Sequence, residues 1–174
     1  MLSAERATMG PLKIIPREDS FSALLEPLLE SAYRFACGML HDPQAAEDAV
    51  QEASIRAWRR LSQLRSPEAV RPWFLSIVAN QCRTTSRGRW WSVIKSAAPE
   101  PQPPPEGVGA ASALDLRRAI RRLPHRQRTA LVMYFYLDLD EREIAAATNS
   151  TPGAVKRQLY RSLAKLRPHL AEET

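Results

Sequence analysis

The sequence has few of the residues that mark secreted, metal-binding or membrane proteins. Its two cysteines, Cys37 and Cys82, lie far apart among apolar neighbours and lack the spacing of metal ligands. We therefore expect both to be reduced core residues of a cytoplasmic protein. No apolar run approaches the roughly 18 residues that a membrane span requires. Residues 1–19 lack the apolar core and cleavage site of a signal peptide, and we expect a flexible extension there.

The residues that catalysis requires are also scarce. The three histidines, His41, His125 and His169, lie in different segments of the chain. The sequence contains no nucleophile–base pair, no glycine-rich phosphate loop and no metal-spaced cluster. We therefore predict a protein that is not an enzyme and that has no catalytic residues, no bound metal and no cofactor.

Positive charge is in excess and is concentrated in two segments. The chain has 25 Lys and Arg against 19 Asp and Glu, a net charge of +6. Residues 69–99 and 144–171 contain basic side chains and no acidic ones. This distribution favours two separate contacts with a polyanion, and nucleic acid is the first candidate. A solvated basic face is the alternative for either segment taken alone.

A proline-rich segment divides the chain in the middle. Residues 96–112, SAAPEPQPPPEGVGAAS, include five prolines and no apolar periodicity, which predicts a flexible, extended linker. Residues 20–95 and 113–171 on either side show helical periodicity, and only the apolar run 131–137 is ambiguous between helix and strand. We predict an all-α protein of two small helical domains joined by this linker.

The first domain is predicted to contain a helix with two contrasting faces. The helix begins after Asp42 as N-cap, with Pro43 in its first turn, and runs toward Leu64. Its core stripe is Ala46, Val50, Ala53, Ala57, Leu61 and Leu64. The opposite face carries Asp48, Gln51, Glu52, Ile55 and Arg59. An apolar residue ringed by charge is typical of a protein-docking surface, although a stray exposed isoleucine explains it equally well.

A loop over residues 65–71 and a third helix from Pro72 are predicted to complete the first domain. The helix directs Trp73, Phe74, Ile77, Val78 and Cys82 inward. Its far end mixes arginines with Trp90 and Trp91, a composition that suits single-stranded nucleic acid. Alternatively, the tryptophans close the hydrophobic core of the small domain.

The second domain is predicted to contain a helix-turn-helix. Helices over residues 113–123 and 124–136 precede a short helix, 141–148, where Asp140 and Glu143 have the spacing of a capping box. Thr151 then caps a final helix, 152–167, that buries Val155, Leu159, Leu163 and Leu166. In a DNA-binding helix-turn-helix this second helix enters the major groove. Its candidate DNA-contacting residues are Thr151, Lys156, Arg157, Tyr160, Arg161 and Lys165.

The order and spacing of these segments resemble the extracytoplasmic-function (ECF) group of bacterial sigma factors. Residues 42–58 (DPQAAEDAVQEASIRAW) resemble the second conserved region, and residues 73–83 (WFLSIVANQCR) are similar to its promoter-melting segment. Residues 123–145 and 153–167 resemble the fourth region. The usual glycine of the turn is replaced by Asn149, and the basic residue often found at position 163 is a leucine. We expect these departures to affect the promoter sequence rather than the function.

The resemblance implies a promoter-specificity subunit of bacterial RNA polymerase. The first domain would dock on the β′ clamp and open the −10 element, and the second would read duplex −35 DNA and bind the β flap. The implied clamp-docking residues are Asp48, Gln51, Glu52, Ile55 and Arg59. The resemblance, together with the basic composition of residues 69–99, implies contact with −10 DNA by four residues: Arg71, Asn80, Arg83 and Arg87. An anti-sigma factor is a further candidate partner. The rival interpretation is a two-domain DNA-binding regulator or polymerase adaptor that does not initiate transcription.

Overall fold

The computed structural model describes residues 18–95 and 110–170, and these residues form helices joined by short connections. No strand occurs among them, so the predicted all-α class is confirmed. The α-helices are α1 (Glu18–Leu40), α2 (Pro43–Arg59), α3 (Val70–Lys95), α4 (Ala110–Arg122), α5 (His125–Leu137), α6 (Glu141–Thr148) and α7 (Pro152–Leu170). Two short 3₁₀ turns, Leu61–Gln63 and Pro67–Ala69, connect α2 to α3. The predictions for the N-terminal extension, for residues 96–109 of the linker and for the side chains of Trp90 and Trp91 lie outside the described residues.

Helix ends follow local capping chemistry. The Asp42 carboxylate accepts a hydrogen bond from the Ala45 amide (Oδ1···N 3.0 Å), as predicted for the start of α2. Asp140 and Glu143 form the predicted capping box at the start of α6. Asn149 ends α6 in the left-handed region, at φ 49°, a conformation that asparagine tolerates better than most residues. At the start of α7 the Thr151 hydroxyl accepts from the Ala154 amide (3.2 Å).

Three predicted boundaries are wrong. α2 ends at Arg59, and the chain then enters a 3₁₀ turn that leaves Leu61 and Leu64 half-buried instead of in the core stripe. α3 already begins at Val70, so Arg71 lies in its first turn and not in a loop. α4 begins at Ala110, three residues inside the predicted linker. The two alanines and the serine there follow the last proline and can join the helix, because alanine has the highest helix propensity.

The final helix buries a different set from the predicted one. Val155, Leu159 and Leu166 are buried, but Leu163 is 40% exposed and Ser162 takes its place in the core. Positions 155, 159, 162 and 166 follow the helical repeat of one face, whereas position 163 is turned about 100° away from position 162. The hydroxyl of Ser162 is satisfied there by the carbonyl oxygens of Gln158 (2.7 Å) and Gln127 (3.2 Å).

The two helical units are docked on each other through α5. One side of α5 packs in a small cluster with α4 and α7, formed by Leu123, Leu131 and Leu166. Its residues Ala130, Val132 and Met133 instead belong to a large core that includes Phe35 of α1 and Phe74 of α3. The ambiguous apolar run 131–137 is therefore helical. Leu131, Val132, Met133 and Leu137 are buried in it, whereas the three aromatic residues 134–136 are exposed.

The expectation that both cysteines lie in the core holds for Cys82 and only in part for Cys37. Cys82 is buried, Cys37 is half-buried against the core, and both are free thiols. Burial raises the pKa of the Cys82 thiol to about 12. Among residues 18–95 and 110–170, no helix is long and apolar enough to cross a membrane. The same residues hold no group of three or more His, Cys, Asp or Glu side chains that could hold a metal ion.

Candidate functional site

An apolar groove runs between α1 and α2. Ile55, which is 47% exposed, lies in it beside Leu29 and Tyr33 of α1, and these two side chains are each 39% exposed. Leu29 and Tyr33 are four residues apart, so both project from the same face of α1. Three large apolar side chains that converge from two helices form a surface patch, and such patches mark protein-interaction sites. Sequence reasoning missed the contribution of α1, although this spacing was visible.

Polar side chains border the groove on the α2 side. Gln51 and Glu47 line it together with Ile55. Asp48 and Glu52 do not line it and instead bond along their own helix, to Gln44 (3.4 Å) and Arg56 (3.0 Å). Of the five predicted docking residues, the structure thus places Gln51 and Ile55 in the groove. Asp48, Glu52 and Arg59 continue the same face of α2 beyond it.

A second candidate surface lies on α3. Asn80, Arg83 and Arg87 are exposed and, at spacings of three and four residues, share one face of the helix. Arg71 precedes Asn80 by nine residues, which turns it about 180° around the helix axis. Its Nη1 forms a salt bridge with Oε1 of Glu143 on α6 (3.2 Å). The structure therefore brings three of the four predicted −10 residues together and separates Arg71 from them.

The third surface is the outward face of α7. Lys156, Arg157, Arg161 and Lys165 are exposed, and Tyr160 is 76% exposed. Thr151 is exposed at the N-terminus of the helix, where its hydroxyl is the cap. Burial of Val155 and Leu159 against α6 fixes which side of α7 faces solvent. A short first helix, a turn at Asn149 and a basic, solvent-facing second helix have the arrangement of a helix-turn-helix.

Two histidines lie close to arginines from both units. Burial, together with the charges of Arg121, Arg128 and Arg117, lowers the pKa of His41 to about 4. Burial also lowers the pKa of His125 to about 4. The charges of Arg128, Arg83, Arg87 and Arg126 contribute to this shift. Both imidazoles are therefore neutral at pH 7.

These features define a helix-turn-helix protein with a separate apolar groove between α1 and α2. The Sigma-70 region 2 family model matches residues 24–92, which contain the groove and the α3 face. The family model for Sigma-70, region 4, matches residues 113–166, which contain the helix-turn-helix. The chain belongs to the sigma-70 family and, within it, to the ECF group, as the resemblance in the sequence predicted.

Curated relatives carry the same family name. The chain is 24% identical to the probable RNA polymerase sigma factor RfaY of Xanthomonas campestris, over 89% of this chain and 41% of RfaY. It is 29% identical to the ECF RNA polymerase sigma factor SigG of Mycobacterium tuberculosis, over 90% of this chain and 51% of SigG. It is 28% identical to the RNA polymerase sigma factor SigV of Bacillus subtilis, over 81% of this chain and 85% of SigV. The chain thus spans about half or less of the length of RfaY and SigG.

Two solved structures share the fold. The sigma factor RpoE from Bartonella quintana, in complex with the anti-sigma factor NepR, matches with a TM-score of 0.68 at 22% identity, over 88% of this chain and 98% of RpoE. CnrH, in complex with the cytosolic domain of CnrY, matches with a TM-score of 0.67 at 18% identity. This match covers 91% of this chain and 92% of CnrH. At these identities the likeness concerns the fold.

Proposed function

We propose that the chain is a promoter-specificity subunit that binds core RNA polymerase, recognises the −35 and −10 elements and promotes DNA opening. It acts in the cytoplasm, uses no cofactor and performs no chemistry of its own. The observation that carries this proposal is that one chain combines an apolar docking groove, a basic face on α3 and a helix-turn-helix. A simple DNA-binding regulator requires only the last of these surfaces.

The α1–α2 groove is the proposed docking site for the β′ clamp. Ile55, Leu29 and Tyr33 provide apolar area, and Gln51 and Glu47 provide polar groups at its border. This combination matches the apolar centre and polar rim that protein interfaces share. An anti-sigma factor is the second candidate occupant of the chain's surfaces, and the complexes of RpoE with NepR and of CnrH with CnrY support it as a partner.

The α3 face is the proposed contact with the −10 element. Arg83 and Arg87 can hold phosphates of the unwound strand, and the Asn80 amide can hydrogen-bond an extruded base. Extrusion costs a few kcal/mol of stacking, so a polar pocket for the base favours the open state.

The α7 face is the proposed reader of the −35 duplex. Arg157 and Arg161 are four residues apart and can reach neighbouring base pairs in one major groove. An arginine can donate two hydrogen bonds to the O6 and N7 atoms of guanine, which distinguishes this base from the others. Lys165 lies one turn further along and is the proposed phosphate contact.

Run-off transcription with bacterial core polymerase tests the proposal. Core polymerase and a library of promoter templates are incubated with and without the chain, and transcripts are sequenced to locate their starts. We expect transcripts that start at a fixed distance from a shared pair of sequence elements only when the chain is present. Binding to DNA without any transcript from core polymerase would instead identify the rival, a regulator or adaptor.

A further inference from the structure

Arginines gather at the point where the end of α1 meets α5. Nη2 of Arg34 donates to the carbonyl oxygen of Tyr136 (3.0 Å), and a Cβ atom placed on Gly38 would lie 2.7 Å from Cγ1 of Val132. These two contacts show that α1 and α5 run in opposite directions. One turn further along each helix, the end of α1 is therefore level with Arg128 of α5. Around this point lies the arginine cluster, which we define as Arg83, Arg87, Arg117, Arg121, Arg126 and Arg128.

Hydrogen bonds join one side of the arginine cluster to the end of α1. Nη1 of Arg128 donates to the carbonyl oxygen of Arg121 on α4 (3.1 Å). Nη2 of Arg121 donates in turn to the carbonyl oxygen of His41 (3.4 Å). Arg117 precedes Arg121 by four residues and so projects from the same face of α4. Burial and the charges of Arg121, Arg128 and Arg117 lower the pKa of His41, which agrees with their closeness to it.

The other side of the arginine cluster joins α3 to the start of α5. Arg83 and Arg87 are one turn apart on α3, and both are exposed. Burial lowers the pKa of His125, and the charges of Arg128, Arg83, Arg87 and Arg126 add to this effect. Arg128 acts on both histidines. The cluster therefore consists of two groups of cations that share Arg128.

Carboxylates of the described residues do not pair with the arginine cluster. Two aspartates are close in sequence, but the Asp42 carboxylate accepts from the Ala45 amide (3.0 Å) and Asp115 pairs with Arg118 (3.5 Å). Burial lowers the pKa of Arg128, and its Nε is buried without a hydrogen-bond partner among the described residues. A partly buried cation is costly without a counter-ion, and a buried orphan donor is rare. Both features favour binding of an anion.

The chemistry of the arginine cluster favours phosphate groups that are linked in a short chain. Arginine can donate two parallel hydrogen bonds to one phosphate. Two groups of cations that share Arg128 match an anion with at least two phosphates, one for each group. In a nucleic acid a sugar separates successive phosphates, whereas phosphates joined by anhydride bonds are adjacent. The condensed phosphate therefore offers the denser negative charge to a compact cluster.

We propose that the arginine cluster is a binding site for a condensed phosphate, a chain of phosphate groups joined by anhydride bonds. Arg128 lies at the centre of this site. The α4 arginines bind one end of the chain, and Arg126 and the α3 arginines bind the other. Inorganic tripolyphosphate and nucleoside triphosphates share this chemistry. The inference goes beyond the proposed function and does not depend on it, because binding is measured without polymerase or promoter DNA.

Calorimetric titration of the full chain with inorganic tripolyphosphate tests the site. We expect saturable binding that is at least about tenfold tighter than binding of orthophosphate, because further charge-assisted hydrogen bonds form. Arg117→Gln and Arg126→Gln should each weaken tripolyphosphate binding by about tenfold. Both side chains are exposed, so the helicity and melting temperature of the free protein should change little. Absence of saturable binding would overturn the proposal.

Arg118→Gln is the matched control for Arg117→Gln. Arg118 is the next residue on α4, is also exposed and loses the same charge, but it points about 100° away and pairs with Asp115. We expect this variant to change tripolyphosphate affinity by less than about twofold, since salt screens charges outside the site. Equal weakening by Arg117→Gln and Arg118→Gln would show attraction to net charge alone and would overturn the proposal.

Nuclear magnetic resonance of the histidine side chains locates the bound anion. His41 and His125 lie beside the arginine cluster, whereas His169 is exposed near the end of α7. Tripolyphosphate should shift the imidazole resonances of His41 and His125 and raise the pKa of both, because an adjacent anion stabilises the charged imidazolium. The resonances of His169 should stay in place. A shift confined to His169 would move the anion to α7 and overturn the proposal.

Competition experiments identify the source of the phosphate. Tighter binding of ATP or GTP than of tripolyphosphate would identify a nucleotide as the ligand, and equal or weaker binding would identify an inorganic condensed phosphate. Either result supports the site. Duplex and single-stranded DNA form the third arm, because Arg83 and Arg87 also belong to the proposed −10 contact. DNA binding that is weakened by Arg117→Gln and Arg126→Gln but not by Arg118→Gln, and that displaces tripolyphosphate, would assign the cluster to nucleic acid and overturn the proposal.

Discussion

The hydroxyl of Ser162 on α7 donates a hydrogen bond to the carbonyl oxygen of Gln127 on α5, at 3.2 Å, in a site where Ser162 has no solvent exposure. The same hydroxyl lies 2.7 Å from the carbonyl oxygen of Gln158. This small polar residue lets α7 pack closely on α5. The contact therefore helps to fix the orientation of the basic face on the other side of α7.

Ser162→Leu should destabilise the second unit and weaken −35 binding, because the larger side chain cannot fit between α5 and α7. Ser162→Ala should cost only about 0.5–1.5 kcal/mol, the usual value of one hydrogen bond. Thermal unfolding and binding to −35 duplex DNA measure the two effects. If Ser162→Leu left both unchanged, α7 would not pack on α5 through this position.

Ile55→Glu should weaken binding to core polymerase while helicity and melting temperature stay nearly unchanged. An unpaired charge is costly to bury in an interface, whereas a substitution at an exposed position usually changes stability by no more than about 0.5 kcal/mol. Affinity for core polymerase and circular dichroism provide the two measurements. Leu170→Glu is the matched control, since Leu170 is also an exposed apolar residue (51%) but lies outside the groove. Equal loss in both variants would argue against docking in the groove.

Asn80→Ala should reduce open-complex formation on a duplex promoter much more than on a template already unpaired around −10. The side chain is exposed on α3, so its removal leaves the core intact. Loss of a base contact penalises strand separation but not attachment to polymerase. Permanganate reactivity of unpaired thymines measures opening on both templates. An equal defect on both would assign Asn80 to polymerase binding or to the fold.

Local chemistry made much of the second domain predictable from sequence. Asp140 and Glu143 cap α6, Asn149 ends it and Thr151 starts α7, and each acts within a few residues of its own position. The error at Leu163 arose because a serine was not expected in the core. Ser162 is tolerated there because its hydroxyl proton has two backbone carbonyl oxygens, those of Gln158 and Gln127, within hydrogen-bond distance.

The docking of the two units was not predictable, because the second half of α5 is apolar on every side although only part of it is buried. Such a pattern does not show which apolar residues are buried or which neighbour each of them contacts. Leu131 packs toward α4 and α7, while the adjacent Val132 packs toward α1. The pairing of Arg71 with Glu143 joins residues 72 positions apart and has no sequence signal.

Acidification from about pH 6.5 toward pH 5 should destabilise the folded chain. Burial and nearby arginines lower the pKa of His41 and of His125 to about 4 in the folded state, below the value near 6.5 expected after unfolding. The unfolded state therefore binds more protons in this range, and stability falls as pH falls. The effect is measured as the melting temperature between pH 7.5 and pH 5. Most carboxylates titrate below this pH window, so they contribute little to the change.

Substitution of the two histidines provides the control for this pH dependence. His41→Asn retains a residue that tolerates the positive φ of 53° at this position, and His125→Gln retains a polar side chain. The double variant should show a flatter melting temperature between pH 6.5 and pH 5. A slope equal to that of the unsubstituted chain would assign the effect to other groups.

The basic face of α7 should separate into residues that read bases and residues that hold phosphate. If Arg157 or Arg161 reads a guanine edge, its replacement by alanine should cost roughly 1–3 kcal/mol and relax the preference at one −35 position. Lys165→Ala should instead weaken all sequences alike and make the dependence of log affinity on log salt shallower by about one unit. Arg118→Ala is a control on α4, where Arg118 pairs with Asp115 (3.5 Å) outside the helix-turn-helix. Binding to every single-base variant of the −35 element at three salt concentrations separates the two kinds of contact. A flat response to all −35 substitutions, in every protein, would remove α7 from promoter recognition.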